Sequence, residues 1–135
     1  MFKVDHLGIA VKSIAQARKF YEQLGMKVVS EEVVEHEKLK AALVPAGESR
    51  LELLEGTSED SVITKFIAKR GEGLHHVAIH VNDISETFEE LKRKGVRLIS
   101  DEIKVGAGGH LYIFVHPSAT GGVLLELCQD AISAV

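Results

Sequence analysis

Displaced by 70 positions against itself, this chain of 135 residues falls into register with its own second half. His6 lands on His76, Ile9 on Ile79, Val11 on Val81, Ile14 on Ile84, Gly25 on Gly95, Ser30 on Ser100 and Glu32 on Glu102. The segments DHLGIAVKSI and HHVAIHVNDI are one pattern written twice. Such a repeat constrains the fold more than composition does. Each copy must build the same supersecondary unit, and a unit this small cannot bury its apolar face alone.

The two copies read alike. Val4–Val11 and Leu74–Val81 alternate and are rich in β-branched residues, which predicts strands. Ser13–Leu24 and Asp83–Lys94 have helical spacing; in the second, Ile84, Phe88 and Leu91 share a face and Asp83 is placed as an N-cap. Gly25 and Gly95 stand where a helix ends in a left-handed residue. Further strands are expected at Met26–Val34, Lys38–Val44 and Arg50–Glu55, and again at Val96–Ile103, His110–Val115 and Gly122–Cys128. Ser58–Arg70, with Ile63, Phe66 and Ile67 at helical spacing, reads as a connecting helix. The expected fold is α+β: two tandem βαβββ modules, 1–57 and 71–135, joined by a helix over 58–70 in a single domain of 1–135. Pairing of the modules about a pseudo-twofold axis would line a cleft with equivalent positions from both.

Composition narrows the function classes. A length of 135 residues suits one domain, since domains commonly run ~100–150 residues. With 16 Lys+Arg against 20 Asp+Glu the net charge is −4, which argues against a nucleic-acid partner. One Cys makes no internal disulfide and fits a reducing, cytoplasmic setting. The longest stretch free of Asp, Glu, Lys and Arg, Val105–Leu125, is broken by five glycines and Pro117, so no membrane span is expected. The start of the chain lacks the apolar run of a signal peptide.

Side chains alternate across a strand. Leu7, Ile9 and Val11 form the apolar face of the first strand, leaving His6, Gly8 and Ala10 on the other; in the second copy Val77, Ile79 and Val81 oppose His76, Ala78 and His80. Each copy therefore sets a histidine and then a small residue on the face turned away from its helix. The last strands read RLELL and LLELC, each with one carboxylate, Glu52 or Glu126, among leucines. A carboxylate in an apolar strand is costly to bury unless it is paired or binds a metal. His6, Glu52, His76 and Glu126 thus form a candidate ligand set, and imidazole with carboxylate suits a divalent transition ion. Glu55 competes with Glu52, but it lies on the opposite face and has no acidic counterpart in the second half. His75, His80, His110 and His116 are assigned to structural or outer contacts, and Cys128 to apolar filling.

At these residues the chain resembles the vicinal-oxygen-chelate (glyoxalase/bleomycin-resistance) superfamily, and within it most closely the methylmalonyl-CoA epimerase family, over nearly its whole length. The segments VDHLGIAV, GEGLHHVAIHVNDI, DEIKVGAGGH and HPSATGGVLLEL carry the resemblance. It implies a divalent ion on His6, Glu52, His76 and Glu126, cobalt first, with manganese, zinc or nickel as alternatives. It also implies a CoA thioester substrate, a homodimer, and interconversion of (R)- and (S)-methylmalonyl-CoA by α-proton abstraction through a chelated enolate. Epimerases often carry Gln where this chain has Glu52, which is the glyoxalase choice. Some carry a catalytic Glu where this chain has Ala41. Glu52 and Glu126 are therefore the expected pair of catalytic bases, and Gly106–His110 with Lys104 a lip for the CoA arm. The alternatives are a glyoxalase I (lactoylglutathione lyase) and a metal-free small-ligand-binding module of the same fold.

Overall fold

The computed structural model describes residues 2–130, so the ends of the 1–57 and 71–135 modules lie outside the described residues. It divides into two compact units, one formed by His6–His75 and the other by the residues up to Asp5 together with those from His76 onward. Among the described residues there are eight β-strands and three α-helices, an α+β arrangement. No described helix is long and apolar enough to cross a membrane.

The His6–His75 unit holds most of β1 (Lys3–Ala10), α1 (Ile14–Leu24), β2 (Ser30–Val34), β3 (Leu39–Ala46), β4 (Ser49–Gly56) and α2 (Val62–Arg70). Its strand order is β2-β3-β4-β1. β4 runs parallel to β1 and antiparallel to β3. Ser13 caps α1 through its side chain, and Gly25 closes the helix in the left-handed region at φ 101°. Val11, Ile14, Ala42, Val44 and Leu53 form the core between sheet and helix, with Ile9, Met26 and Leu51 packed around them. Burying each such Val, Ile or Leu stabilises the unit by about 1.5–3 kcal/mol. The connecting helix is shorter than expected, because Ser61 accepts from the Ile63 N–H and starts α2 at Val62.

The second unit follows the same plan. It contains β5 (Gly73–His80, mostly within it), α3 (Ile84–Arg93), β6 (Lys104–Val105), β7 (Leu111–Val115) and β8 (Leu125–Gln129), in strand order β5-β8-β7-β6. β8 is parallel to β5 and antiparallel to β7. Asp83 caps α3 through Glu86 N–H, and the helix ends at Arg93, with Lys94 as its C-cap and Gly95 following at φ 74°. Val81, Ile84, Phe88, Ile113, Val115 and Leu127 form the core.

Several expected strands are shorter or displaced. Over Met26–Val34 a ladder exists only from Ser30, because Met26 and Val28 are used as core filling beneath α1. Over Val96–Ile103 no strand forms. Leu98 makes a single bridge to Val115, while the Ile99 and Ser100 N–H groups both donate to Phe114 O and Ser100 Oγ accepts from Phe114 N–H. Val96, Leu98 and Ile103 pack on the core, so the alternation seen in the sequence is real but serves burial. The last strand begins at Leu125 because Gly121 and Gly122 hold positive φ of 71° and 96° in the turn before it.

Candidate metal centre

The same construction recurs in both units. In the first, parallel pairing sets Gly8 opposite Glu52, two residues past His6. In the second it sets Ala78 opposite Glu126, two residues past His76. Leu51 and Leu53 in one unit, and Leu125 and Leu127 in the other, turn to the helix side. By alternation the glutamates face the opposite way. The small partners Gly8 and Ala78 leave space beside each carboxylate.

His6 Nε2 lies 3.7 Å from Glu52 Oε2, and His76 Nε2 lies 3.4 Å from Glu126 Oε1. All four residues are buried, at 2%, 8%, 5% and 4% exposure. Carboxylates and imidazoles at that depth are costly without compensation. Buried His and Glu donors are also the ligand types that divalent transition ions take. The donor types in the two half-sites are therefore those that a divalent ion takes.

The other candidates are placed elsewhere. The Glu55 carboxylate accepts the Ile14 N–H at 2.7 Å, on the helix side of β4. The His75 ring meets Phe66 edge-on at 5.0 Å, and His80 Nε2 lies 4.0 Å from Asp130 Oδ2. His116 accepts the Ser118 N–H at 3.0 Å. Cys128 is buried with Ala78 and Tyr112.

His110 was assigned only an outer role from the sequence, yet its Nε2 lies 3.4 Å from Glu126 Oε2. Glu126 thus has one histidine at each oxygen. The Gly106–His110 segment, expected as a lip for a CoA arm, is the loop that carries this ring. The signal was the run GAGG before it, because a loop with so little side-chain volume can wrap closely around a ring. Ala41 lies on β3 opposite Leu54 and Glu32 and is buried. Its register counterpart in the second unit is Tyr112, which pairs with Cys128.

The fold and these His–Glu half-sites define a class. Residues 5–114 match the model of the Glyoxalase/Bleomycin resistance protein/Dioxygenase superfamily, and the chain belongs to it. Within that superfamily its near relatives and structural neighbours include methylmalonyl-CoA epimerases. The mitochondrial enzyme of Mus musculus is 40% identical over 94% of this chain and 72% of its own. A Streptomyces coelicolor methylmalonyl-CoA epimerase variant, solved in complex with 2-nitronate-propionyl-CoA, superposes with a TM-score of 0.89 at 36% identity, covering 96% of this chain and 98% of that one. An uncharacterized protein of Bacillus subtilis is 43% identical over 96% of this chain and 93% of its own.

Proposed function

We propose that this chain is a metal-dependent epimerase that interconverts (R)- and (S)-methylmalonyl-CoA. One observation carries the reading: each unit sets a buried glutamate, in parallel register, beside the residue two past a buried histidine. The similarity to methylmalonyl-CoA epimerases supports the substrate class.

In this reading the two modules pair across a cleft, and His6, Glu52, His76 and Glu126 hold one divalent ion, cobalt first, with manganese, zinc or nickel as alternatives. Bound there, such an ion supplies Lewis-acid stabilisation of the negative charge that develops on the thioester oxygen, worth several kcal/mol. The proteinaceous part of the reaction is proton transfer. Inversion takes a proton from one face of the carbon between thioester and carboxylate and returns one to the other, which needs two acid–base groups. Glu52 and Glu126, one from each unit, fill those roles. The enzyme works as a cytoplasmic homodimer.

The test is exchange of the α-proton of methylmalonyl-CoA with deuterated solvent, with and without chelator. Exchange that stops on chelation and returns with cobalt is expected; no exchange in the metal-loaded protein overturns the reading. One feature favours a second reading on the same scaffold: the acidic Glu52 also suits a glyoxalase I acting on a hemithioacetal. Turnover of the hemithioacetal in place of the CoA thioester, measured side by side, would select it.

A further inference from the structure

The two glutamates are flanked differently. The register partners of Glu52 are Gly8 and Leu43, and those of Glu126 are Ala78 and Phe114. Partners directly opposite in an antiparallel pair share a face of the sheet, with Cβ atoms about 4.5–5.5 Å apart. The half-buried Phe114 ring therefore stands on the same side as the Glu126 carboxylate, one strand away. One flank of that carboxylate ends at a methyl group, and the other is an aromatic wall.

Phe114 is held by its backbone and by its ring. Its N–H donates to Ser100 Oγ at 2.9 Å, and its carbonyl oxygen accepts the Ile99 N–H at 2.9 Å. The ring meets that of His76 at 88° with centroids 5.5 Å apart, and that of Tyr112 at 74° and 5.6 Å. Both are the edge-to-face geometry that aromatic pairs prefer. Tyr112 is itself only 6% exposed and packs with Ala78 and Cys128. A Cβ on Gly106 would lie 3.1 Å from Tyr112 Cε1, so the 106–109 turn closes over that ring and leaves it no room to retreat. The first unit lacks this support. Ala41 stands at the place of Tyr112, and Leu43 has no ring beside it on β3.

We infer that Phe114 is a specificity-determining residue: its ring bounds the space beside Glu126 and limits the alkyl substituent on the carbon that loses its proton. A carbon that gives up a proton to Glu126 comes within about 3–3.5 Å of the carboxylate. A group bonded to that carbon and turned to the β7 side meets the Phe114 ring at van der Waals distance. A methyl group needs little of that space. Each further methylene has to displace a ring that His76 and Tyr112 hold from two sides. The inference rests on the reading of this chain as an epimerase in which Glu126 acts as a base. It narrows the substrate class to malonyl-CoA thioesters with the shortest α-alkyl groups.

The experiment uses the full chain at saturating cobalt, so that a change in ion affinity through His76 does not enter. It compares kcat/KM for α-proton exchange with methyl-, ethyl- and butylmalonyl-CoA, and the readout is the preference for methyl over butyl. One misfitting methylene in an apolar pocket commonly changes kcat/KM by about 10–200-fold, so the wild type should prefer the methyl substrate at least about 10-fold. Phe114→Ala should cut that preference about 10-fold by raising exchange of the butyl substrate. Phe114→Leu, which keeps the seat filled, should cut it in the same direction by less, and it decides the matter if Phe114→Ala does not fold. A wild type indifferent to the length of the substituent overturns the inference. So does a preference unchanged in the variants, even where all three substrates slow by one factor, since Phe114 would then support the fold alone. A wild type that exchanges none of the three thioesters overturns the epimerase reading itself, a result separate from these.

Discussion

The side chain of Gln129 accepts the backbone N–H of Ile84 at 2.8 Å, holding the first residue of α3 against the end of β8. The first unit repeats the contact with a different residue type, because Glu55 accepts the Ile14 N–H at 2.7 Å. What the two units share at this place is an oxygen acceptor at the foot of a helix whose first N–H groups have no intrahelical partner. Glu55 therefore does have a counterpart, and the shared need is a side-chain carbonyl or carboxylate oxygen, not a charge. Gln129→Ala and Glu55→Ala should each lower stability by about 0.5–2 kcal/mol in urea denaturation, and Glu55→Gln should cost less than half as much. Equal losses for Glu55→Ala and Glu55→Gln would show that the charge is what matters.

Removing the metal should be visible in stability as well as turnover. An ion that binds the folded chain alone stabilises it by about 2.7 kcal/mol at a free concentration 100 times its dissociation constant. Chelator should lower Tm by several degrees and cobalt should restore it. His6→Ala and His76→Ala should abolish that response. A Tm indifferent to cobalt in the wild type contradicts the centre.

Gly56 is constrained by contact, not by its backbone angles. It ends β4, and a Cβ there would lie 2.0 Å from Thr64 Oγ1 and 3.0 Å from Thr64 N in the first turn of α2. The hydroxyl can rotate, but the main-chain nitrogen cannot move without shifting the helix. Gly56→Ala should cost about 1–3 kcal/mol by overpacking, read from the denaturation midpoint. Gly56→Ala paired with Thr64→Ala should recover part of it.

Much of this was legible before any coordinates. Helix limits were clear because Ser13, Asp83 and Gly25 are residues whose side chain, or lack of one, does one local job at a terminus. His6, Glu52, His76 and Glu126 stood out because duplication repeats them against a varied background. The strands at Met26–Val29 and Val96–Ile103 were misread because apolar alternation reports burial, and burial needs no ladder partner. Whether Leu98 gains a neighbour strand is decided by Phe114 and Ser100, far along the chain. His110 was missed for the reason it is interesting: it breaks the repeat, so symmetry could not point to it.

Asp60 offers an acid-side marker. Lys38, whose backbone is left-handed at φ 56°, donates to Asp60 Oδ2, and Ser58 Oγ donates to Oδ1 at 2.6 Å. The Lys38 contact first, then the Ser58 hydroxyl, hold the carboxyl at about 2, below its ordinary 3.8. Because the folded value is the lower one, the contribution is fully present above pH 3.8 and is lost as pH falls through about 2. NMR titration should place Asp60 near 2, and Lys38→Met should move it back toward 3.8. A wild-type midpoint at the ordinary value would show that the pair does not persist in solution.

The assignment of two bases makes a prediction that one base cannot. If Glu52 and Glu126 serve opposite faces of the α-carbon, each can remove the proton of only one epimer. Replacing either by Gln keeps an oxygen donor of similar shape but removes the ability to take a proton. Glu126→Gln should then still exchange the α-proton of one epimer with deuterated solvent, and Glu52→Gln that of the other. Interconversion should fall about 10²–10⁴-fold in both, since general acid–base groups commonly contribute that much. Cobalt affinity, measured on the same samples, distinguishes a lost base from a lost ligand. One variant that loses exchange of both epimers while the other keeps both, each still binding cobalt, would mean that a single group does the work. Full inversion in both would remove the two carboxylates from the chemistry and leave them as ligands.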